Sequence, residues 1–448
     1  MPKRATPSFM VEPTARSVAV EVLYRVEKGA YATPLLDAEL RKAKLSQEQA
    51  ALATEITYGT LRVLPHLDAV IATYARQSRP IDAFAKACLR TAIFQLLYLT
   101  HSASHAVVND AVSMVRTKRD SKLAGFVNAV LRNILRHKSD HAPGHGFEAP
   151  EWFHALLKES LGSSRTQAFL NRPLPPPLCL RVNPLCTDRD TLLQALKAAQ
   201  PNATVTYGHV SPLALVVQHG KDPRHLPGYA EGWFTVQEEG AQIMGLLLDA
   251  QPGEHIADAC AGHGTKTTLL AQHVGPSGQV FALDRYPHKL NHVPQELQRL
   301  GMDAHRVTTH AVDLTVGNAG LAGSCDRVLI DLPCTGLGTV HRRPELLLRL
   351  HAGDPDRLQT LQLAIAKHAV ALSKPGGRIV LGVCSPTHQE GIALVERIEQ
   401  SHSHLKRVLT CPLETVPVDS DGMVRLGPWL APGDYGPDAY QIIQWQVQ

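Results

Sequence analysis

The chain has no run of about 18 or more apolar residues, so no membrane-spanning helix is expected and no membrane partner is read from it. It has no C-x-x-C pair among Cys88, Cys179, Cys186, Cys260, Cys325, Cys334, Cys384 and Cys411, which removes a zinc ribbon and a thioredoxin-like motif. H-E-x-x-H is also missing and the 23 histidines are scattered, so no metal is expected. The opening residues MPKRATPSFMVEPTAR are basic but lack the apolar core of a secretory signal. Thiols without an export signal fit a reducing compartment, and a cytoplasmic protein is the expectation. Internal repeats and low-complexity tracts are absent as well.

What is present is enough for two or three domains: 448 residues, of which 44% are hydrophobic and 19% charged. The formal net charge of +4 hides an asymmetry. Residues 1–140 carry 20 lysines and arginines against 12 acids, a net of +8, while the remainder carries 25 against 29, a net of −4. An excess of positive charge on one domain suits a phosphate-binding surface, and equally a solvated helical face.

Residues 14–137 show apolar recurrence at helical spacing, as in Val18-Leu23-Val26 and Leu89-Ile93-Leu96-Leu97. Six or seven helices are expected, broken at Tyr58-Gly59, at Pro65 and at Arg79-Pro80. The Pro/Gly/His-rich stretch around 141–150 reads as a linker. Residues 151–235 read as a small α+β subdomain, with helices over 151–170 and 188–199 and strands over 178–182, 203–207 and 213–217. From 236 to 448 the rhythm becomes strand–helix–strand. Strands are expected at 254–258, 279–284, 306–310, 327–331 and 378–384, helices at 266–273, 287–300, 356–373 and 389–400, and a late antiparallel strand at 440–445. That alternation predicts an α/β doubly wound, Rossmann-like sheet that binds ligands at the carboxyl ends of its strands.

Two kinds of chemistry gather at those ends. The segment IADACAGHGTKTTLLAQ places Cys260, Ala261, Gly262, His263, Gly264, Thr265 and Lys266 between a strand and a helix N-terminus, where free N–H groups meet an anion. Asp284 ends the next strand and suits ribose hydroxyls. A nicotinamide site would want a third glycine where Thr267 stands, and a phosphate loop would want glycine at Thr265. S-adenosylmethionine fits better, needing a carboxylate cradle and a ribose acid but no pyrophosphate groove. A glycine turn that only packs strand on helix is the plain alternative.

Asp331-Leu332-Pro333-Cys334 and Cys384-Ser385-Pro386 follow two further strands and reach the same face. Buried cysteines are usually apolar filler, as Cys88 and Cys411 are read. A cysteine at a strand end beside a cofactor pocket answers a chemical need instead. Carbon 5 of cytosine will not attack a methyl sulfonium unaided, and a thiolate added to carbon 6 activates it. An acid on the N3 and N4 edge would stabilise the adduct, and Lys266 would favour the thiolate.

At these residues the chain resembles the RsmB/Sun/Fmu family of bacterial 16S ribosomal RNA cytosine-5 methyltransferases, over nearly its whole length. TEITYGTLR, LRTAIFQLLYL and GFVNAVLRNIL look like that family's NusB-like RNA-binding domain. RVNPL, GWFTVQEEGAQ, DLPCTGLGTVHRRPE and VCSPTHQEG follow its later motifs. The resemblance implies an all-α NusB-like domain over 1–140 and a class I methyltransferase domain over 236–448. It implies S-adenosyl-L-methionine as cofactor, held by residues 260–266, with Asp284 at the ribose, Asp313 at the adenine and Asp331 between cofactor and base. Cys384 would be the nucleophile, Cys334 would assist product release, and 16S ribosomal RNA would be the partner. The family's C-A-A-P-G-G-K-T is altered at Gly262, His263 and Thr265, Val383 replaces a threonine, and Pro437-Asp438-Ala439-Tyr440 replaces a D-G-F-F-like ending.

Three other readings stay open on sequence. A non-enzymatic RNA-binding protein would not need Asp331, Cys334, Cys384 and Lys266. An amino-group methyltransferase would want an aromatic in the DLPC loop. A small-molecule C-methyltransferase would have no use for the basic helical domain.

Overall fold

The computed structural model describes residues 13–75, 80–100, 102–142, 147–220 and 222–448. They form two compact units, one reaching Pro150 and including Arg343–Arg349, the other made of Glu151–Arg342 and Leu350–Gln448.

The first unit holds seven α-helices among its described residues: α1 (Ala15–Val26), α2 (Ala32–Ala43), α3 (Gln47–Arg62), α4 (Leu64–Tyr74), α5 (Ala83–Tyr98), α6 (Ser104–Lys118) and α7 (Ser121–Arg136). Their starts are written in the sequence, because Thr14, Ser46, Asp82 and Asp120 each accept from a backbone N–H of the first turn. α5 is buried from Phe84 to Leu97 except at Lys86, so it forms the axis of the bundle. Its one buried cation, Arg90, is met by Asp68 at 2.7 and 2.5 Å and by Glu27 at 2.5 Å. The break expected at Tyr58-Gly59 does not occur, since α3 runs through to Arg62. Gly59 instead allows close packing: a Cβ there would stand 2.0 Å from the Phe94 ring. Pro65 lies in the first turn of α4, where a missing N–H costs nothing. Of the Arg79-Pro80 break, Arg79 lies outside the described residues and Pro80 lies between α4 and α5.

The second unit opens with α8 (Glu151–Leu170), bent at Gly162. A four-stranded antiparallel sheet follows in the order β2-β3-β1-β4, from β1 (Leu178–Val182), β2 (Thr204–Tyr207), β3 (Ala214–Gln218) and β4 (Phe234–Val236). α9 (Arg189–Ala199) lays Leu192, Leu193 and Leu196 onto its inner face. β4 was not expected, and it carries the small sheet to Val236.

α10 (Glu239–Leu247) leads into the large sheet. Its strands are β5 (His255–Ala259), β6 (Gln279–Asp284), β7 (Val307–Ala311), β8 (Cys325–Asp331), β9 (Ser373–Val383), β10 (Leu405–Arg407), β11 (Val424–Leu426) and β12 (Tyr440–Val447). The order is β7-β6-β5-β8-β9-β12-β10, with β11 also on β12. β5 to β9 are parallel, and β12 is antiparallel to β9, as expected of the late strand. Alternation divides the core: Val328, Ile330, Ile379, Leu381 and Trp445 face α14 (Asp354–Val370) and α15 (Ile392–Ser401). Leu329, Val380 and Ile442 face α10 and α11 (Thr265–Val274). The helix expected over 287–300 is two, α12 (Pro287–Leu290) and α13 (Val293–Arg299). Pro294 has no N–H to continue the first and sits in the opening turn of the second. From β5 the chain goes to β6 on one side and later returns to β8 on the other, which opens a crevice at the carboxyl ends of both.

Candidate active site

β5 ends in a tight turn. Cys260 has a left-handed φ of 64°, uncommon without glycine, and Gly264 repeats that sense at φ 82° before α11 begins. A Cβ at Gly264 would press on Val293 at 2.5 Å. The backbone secures the turn: Ala261 N–H donates to Leu283 O at 2.8 Å, and Gly262 N–H to Asp284 Oδ2 at 2.9 Å. Asp284 also accepts from Tyr286 N at 2.8 Å, so its carboxylate is set by two backbone donors. His263 packs on His292 with ring centres 5.1 Å apart, and burial holds its pKa below the ordinary value.

Lys266 points from the first turn of α11 to Asp331 at the end of β8, Nζ to Oδ2, at 2.6 Å. Burial works against its charge, but Asp331, with help from Asp258, holds the pKa above the ordinary value. Past β8, the Cys334 sulfur lies 3.3 Å from that of Cys384, which follows β9. The sulfur contact, then burial, pushes the Cys334 thiol well above its usual range. Asp331, Cys334, Cys384 and Lys266 are thus brought together beside the glycine turn. Asp313, past β7, instead serves its own turn, accepting from Thr315 N at 3.0 Å and Thr315 Oγ1 at 2.6 Å, with Arg285 at 3.3 Å.

Sequence reading missed the residues that hold these loops. Glu390 is buried and accepts from Thr335 N at 2.8 Å, Thr335 Oγ1 at 2.5 Å and Gln362 Nε2 at 3.0 Å. Gln441 of β12 donates to Ser385 O and Thr387 O at 2.9 and 2.7 Å. Gly338 N–H donates to Cys384 O at 3.0 Å while its own O accepts from Ala439 N, and a Cβ there would meet Ala439 O at 2.0 Å. In the altered ending, Asp438 is buried between Arg172 and Arg342, whose charges outweigh burial and hold its pKa low. Asp258, at the floor of the glycine turn, takes Thr267 Oγ1 at 2.6 Å on one oxygen, and its Oδ1 is buried without a partner. Burial pushes this acid up to about 7.

A doubly wound sheet with a late antiparallel strand, a glycine turn after its first strand and an acid ending the second defines a Rossmann-like methyltransferase domain. The family models agree: 16S rRNA methyltransferase RsmB/F matches residues 245–434, the NusB family 13–136, and the RsmF/B-like ferredoxin-like domain 149–222. The chain is 32% identical to a probable ribosomal RNA small subunit methyltransferase B of Synechocystis sp., covering 87% of this chain and 90% of that protein. A protein of the same description in Bacillus subtilis is 27% identical, over 97% and 98%. The chain belongs to the RsmB/F methyltransferase family. In fold it is similar to the crystal structure of PH0851, with a TM-score of 0.80 at 22% identity over 98% and 99% of the two chains. NSun6 from Pyrococcus horikoshii, solved with SFG, gives 0.57 at 16% identity over 66% of this chain and 98% of that one.

Proposed function

We propose that this chain moves the methyl group of S-adenosylmethionine to carbon 5 of a cytosine in 16S ribosomal RNA, through a covalent bond between Cys384 and the base. The observation that carries the reading is the sulfur pair 3.3 Å apart beside the Lys266–Asp331 ion pair. The names of the small-subunit methyltransferase B relatives support the choice of RNA.

The residues of the glycine turn fit the cofactor. Asp284 presents a fixed carboxylate, the partnerless oxygen of Asp258 suits an ammonium, and a Cβ at Gly262 would find nothing nearer than 4.0 Å. When bound there, S-adenosylmethionine supplies the electrophilic methyl group. Cys384 adds to carbon 6 as thiolate, and the electron pair displaced from the ring double bond makes carbon 5 the nucleophile. Cys334, as S–H, faces the Cys384 sulfur and supports it as the attacking atom. Asp331, kept in place by Lys266, would meet the N3 and N4 edge of the base. Once the Cys384 sulfur is bonded to carbon, the contact that most raises the Cys334 pKa is gone, so Cys334 more readily gives its own proton to solvent and stands as a thiolate that can accept another. It then takes the proton from carbon 5, the ring double bond re-forms, and the Cys384 thiolate leaves.

RNA binding is assigned chiefly to the helical unit. Between 111 and 139 it has one acid, Asp120, and exposed Arg116, Lys118, Arg119, Lys122, Arg132, Arg136 and Lys138. A cytoplasmic location and domain limits at 140, 150 and 235 belong to the same proposal. The test is to map 5-methylcytosine in small-subunit ribosomal RNA with and without this protein. One position that loses its methyl group with the protein supports the reading, and an unchanged map overturns it.

A further inference from the structure

Arg181 joins the small sheet to the cofactor loop. Arg181 stands in β1, 2% exposed, and its guanidinium crosses to the first turn of α11. It donates to Thr265 O at 2.8 Å, to Thr268 Oγ1 at 2.9 Å and to Gln237 Oε1. All three acceptors are neutral. The acid that acts on it across the interior is Glu296, whose effect Arg299 offsets, and burial lowers the Arg181 pKa to about 9. A buried cation without a bonded carboxylate is costly, and this one lies against the positive end of a helix, which adds to the cost. An anion in the loop relieves both.

We propose that Arg181 is a positioning residue for the cofactor: it fixes the carbonyl that precedes Lys266, and its charge, added to that of the α11 N-terminus, selects ligands that carry a carboxylate. This rests on the S-adenosylmethionine reading above. The small sheet thereby shapes the methyl-donor site rather than serving RNA alone. Neighbouring Asp258, with its free oxygen, gives the same loop a place for the ligand's ammonium group. The carboxylate and the ammonium of an amino-acid tail are thus met by two buried groups, Arg181 and Asp258.

The experiment compares two ligands by calorimetry on the full chain. S-adenosylhomocysteine carries the amino-acid tail, and 5′-methylthioadenosine keeps the nucleoside but lacks the carboxylate. Arg181→Met, similar in length but neutral, is expected to weaken S-adenosylhomocysteine about tenfold or more and 5′-methylthioadenosine less than about twofold. Arg181→Lys keeps the charge and should restore part of the difference. Equal weakening of both ligands, or no weakening of either, overturns the proposal, because a residue that only supports the fold would not sort ligands by their tails. Should Arg181→Met not fold, Thr268→Val removes one acceptor of the guanidinium and is read by the same pair of ligands. A selective loss of about threefold supports the proposal, and an equal loss or none overturns it. Wild-type protein that binds neither ligand would instead sink the cofactor reading itself.

Discussion

The glycine turn and the two cysteine loops leave adjacent strands of one sheet, yet they are held by different means. The cysteine loops are bound by side chains: Glu390 gathers Thr335 and Gln362, Gln441 reaches across from β12, and Gly338 is caught between Cys384 and Ala439. The glycine turn is bound mostly by backbone groups, with Asp284 and, at its far end, Arg181 as side-chain supports, and it has open space beside Gly262. Under the proposed mechanism a sulfur must form a bond at one carbon and needs a fixed position, since small displacements are costly in rate. A loop that closes on a flexible ligand gains from backbone that can adjust. The departures from the family's pattern fall on both sides, for Val383 and residues 437–440 lie beside the cysteine loops. Gly262, His263 and Thr265 lie in the turn, whereas Asp331, Cys334 and Cys384 are intact.

The largest effect should come from the cysteines. Cys384→Ala should abolish methylation, a fall on the order of 10³-fold or more, and form no RNA adduct. Cys334→Ala should attack and methylate, then stall as a protein–RNA complex that survives denaturing electrophoresis. The reverse pattern exchanges the roles, and full activity in both variants ends the covalent mechanism. Next comes Glu390→Ala, which leaves the Thr335 N–H and one Gln362 N–H buried without an acceptor, at about 1–3 kcal/mol each. The thermal midpoint and turnover should both fall while S-adenosylhomocysteine affinity holds. Loss of that affinity would mean that the two regions are not separately held.

Asp284→Ala tests the other side. It removes a carboxylate whose bonds are worth roughly 1.5–3 kcal/mol each, so cofactor affinity should drop about tenfold or more in a folded protein. The smallest effect belongs to Thr265→Gly. Thr265 is already helical, in the first turn of α11, where glycine costs at most about 1 kcal/mol, and cofactor affinity should stay within about twofold. A large loss there would show that the turn is as rigid as the cysteine loops.

What the sequence revealed, and what it hid, follows from range. Strand ends bearing Asp284, Asp331 and Cys384 were legible because alternation and turn residues are local signals. α10 was not, since it is buried on nearly every face and shows no polar stripe. The division of α12 from α13 was available in Pro294 and was overlooked. The supports of the site were hidden for another reason. Arg172 and Asp438 pair across 266 positions, Arg181 and Thr268 across 87, and no spacing rule joins them. A charged residue in an apolar strand, as Arg181 is in LCLRV, was the one available hint that a buried partner existed.

The seven residues Arg343–Arg349 bear on how far this protein is modular. They follow the Cys334 loop in the chain but are part of the helical unit. There Arg349 donates to Gly29 O at 2.5 Å and covers the Tyr31 ring at 4.0 Å, and buried Glu345 accepts from Ala32 N at the uncapped start of α2. The helical unit therefore borrows a piece that its own stretch of sequence does not encode. Residues 1–150 made alone should melt below the same helices in the whole protein, and a peptide of residues 343–349 supplied in trans should raise the midpoint. An unmoved midpoint would show the loan to be dispensable. Gene fusions that swap this bundle for another must carry the heptapeptide's docking surface with them, or leave a catalytic-domain loop without its seat.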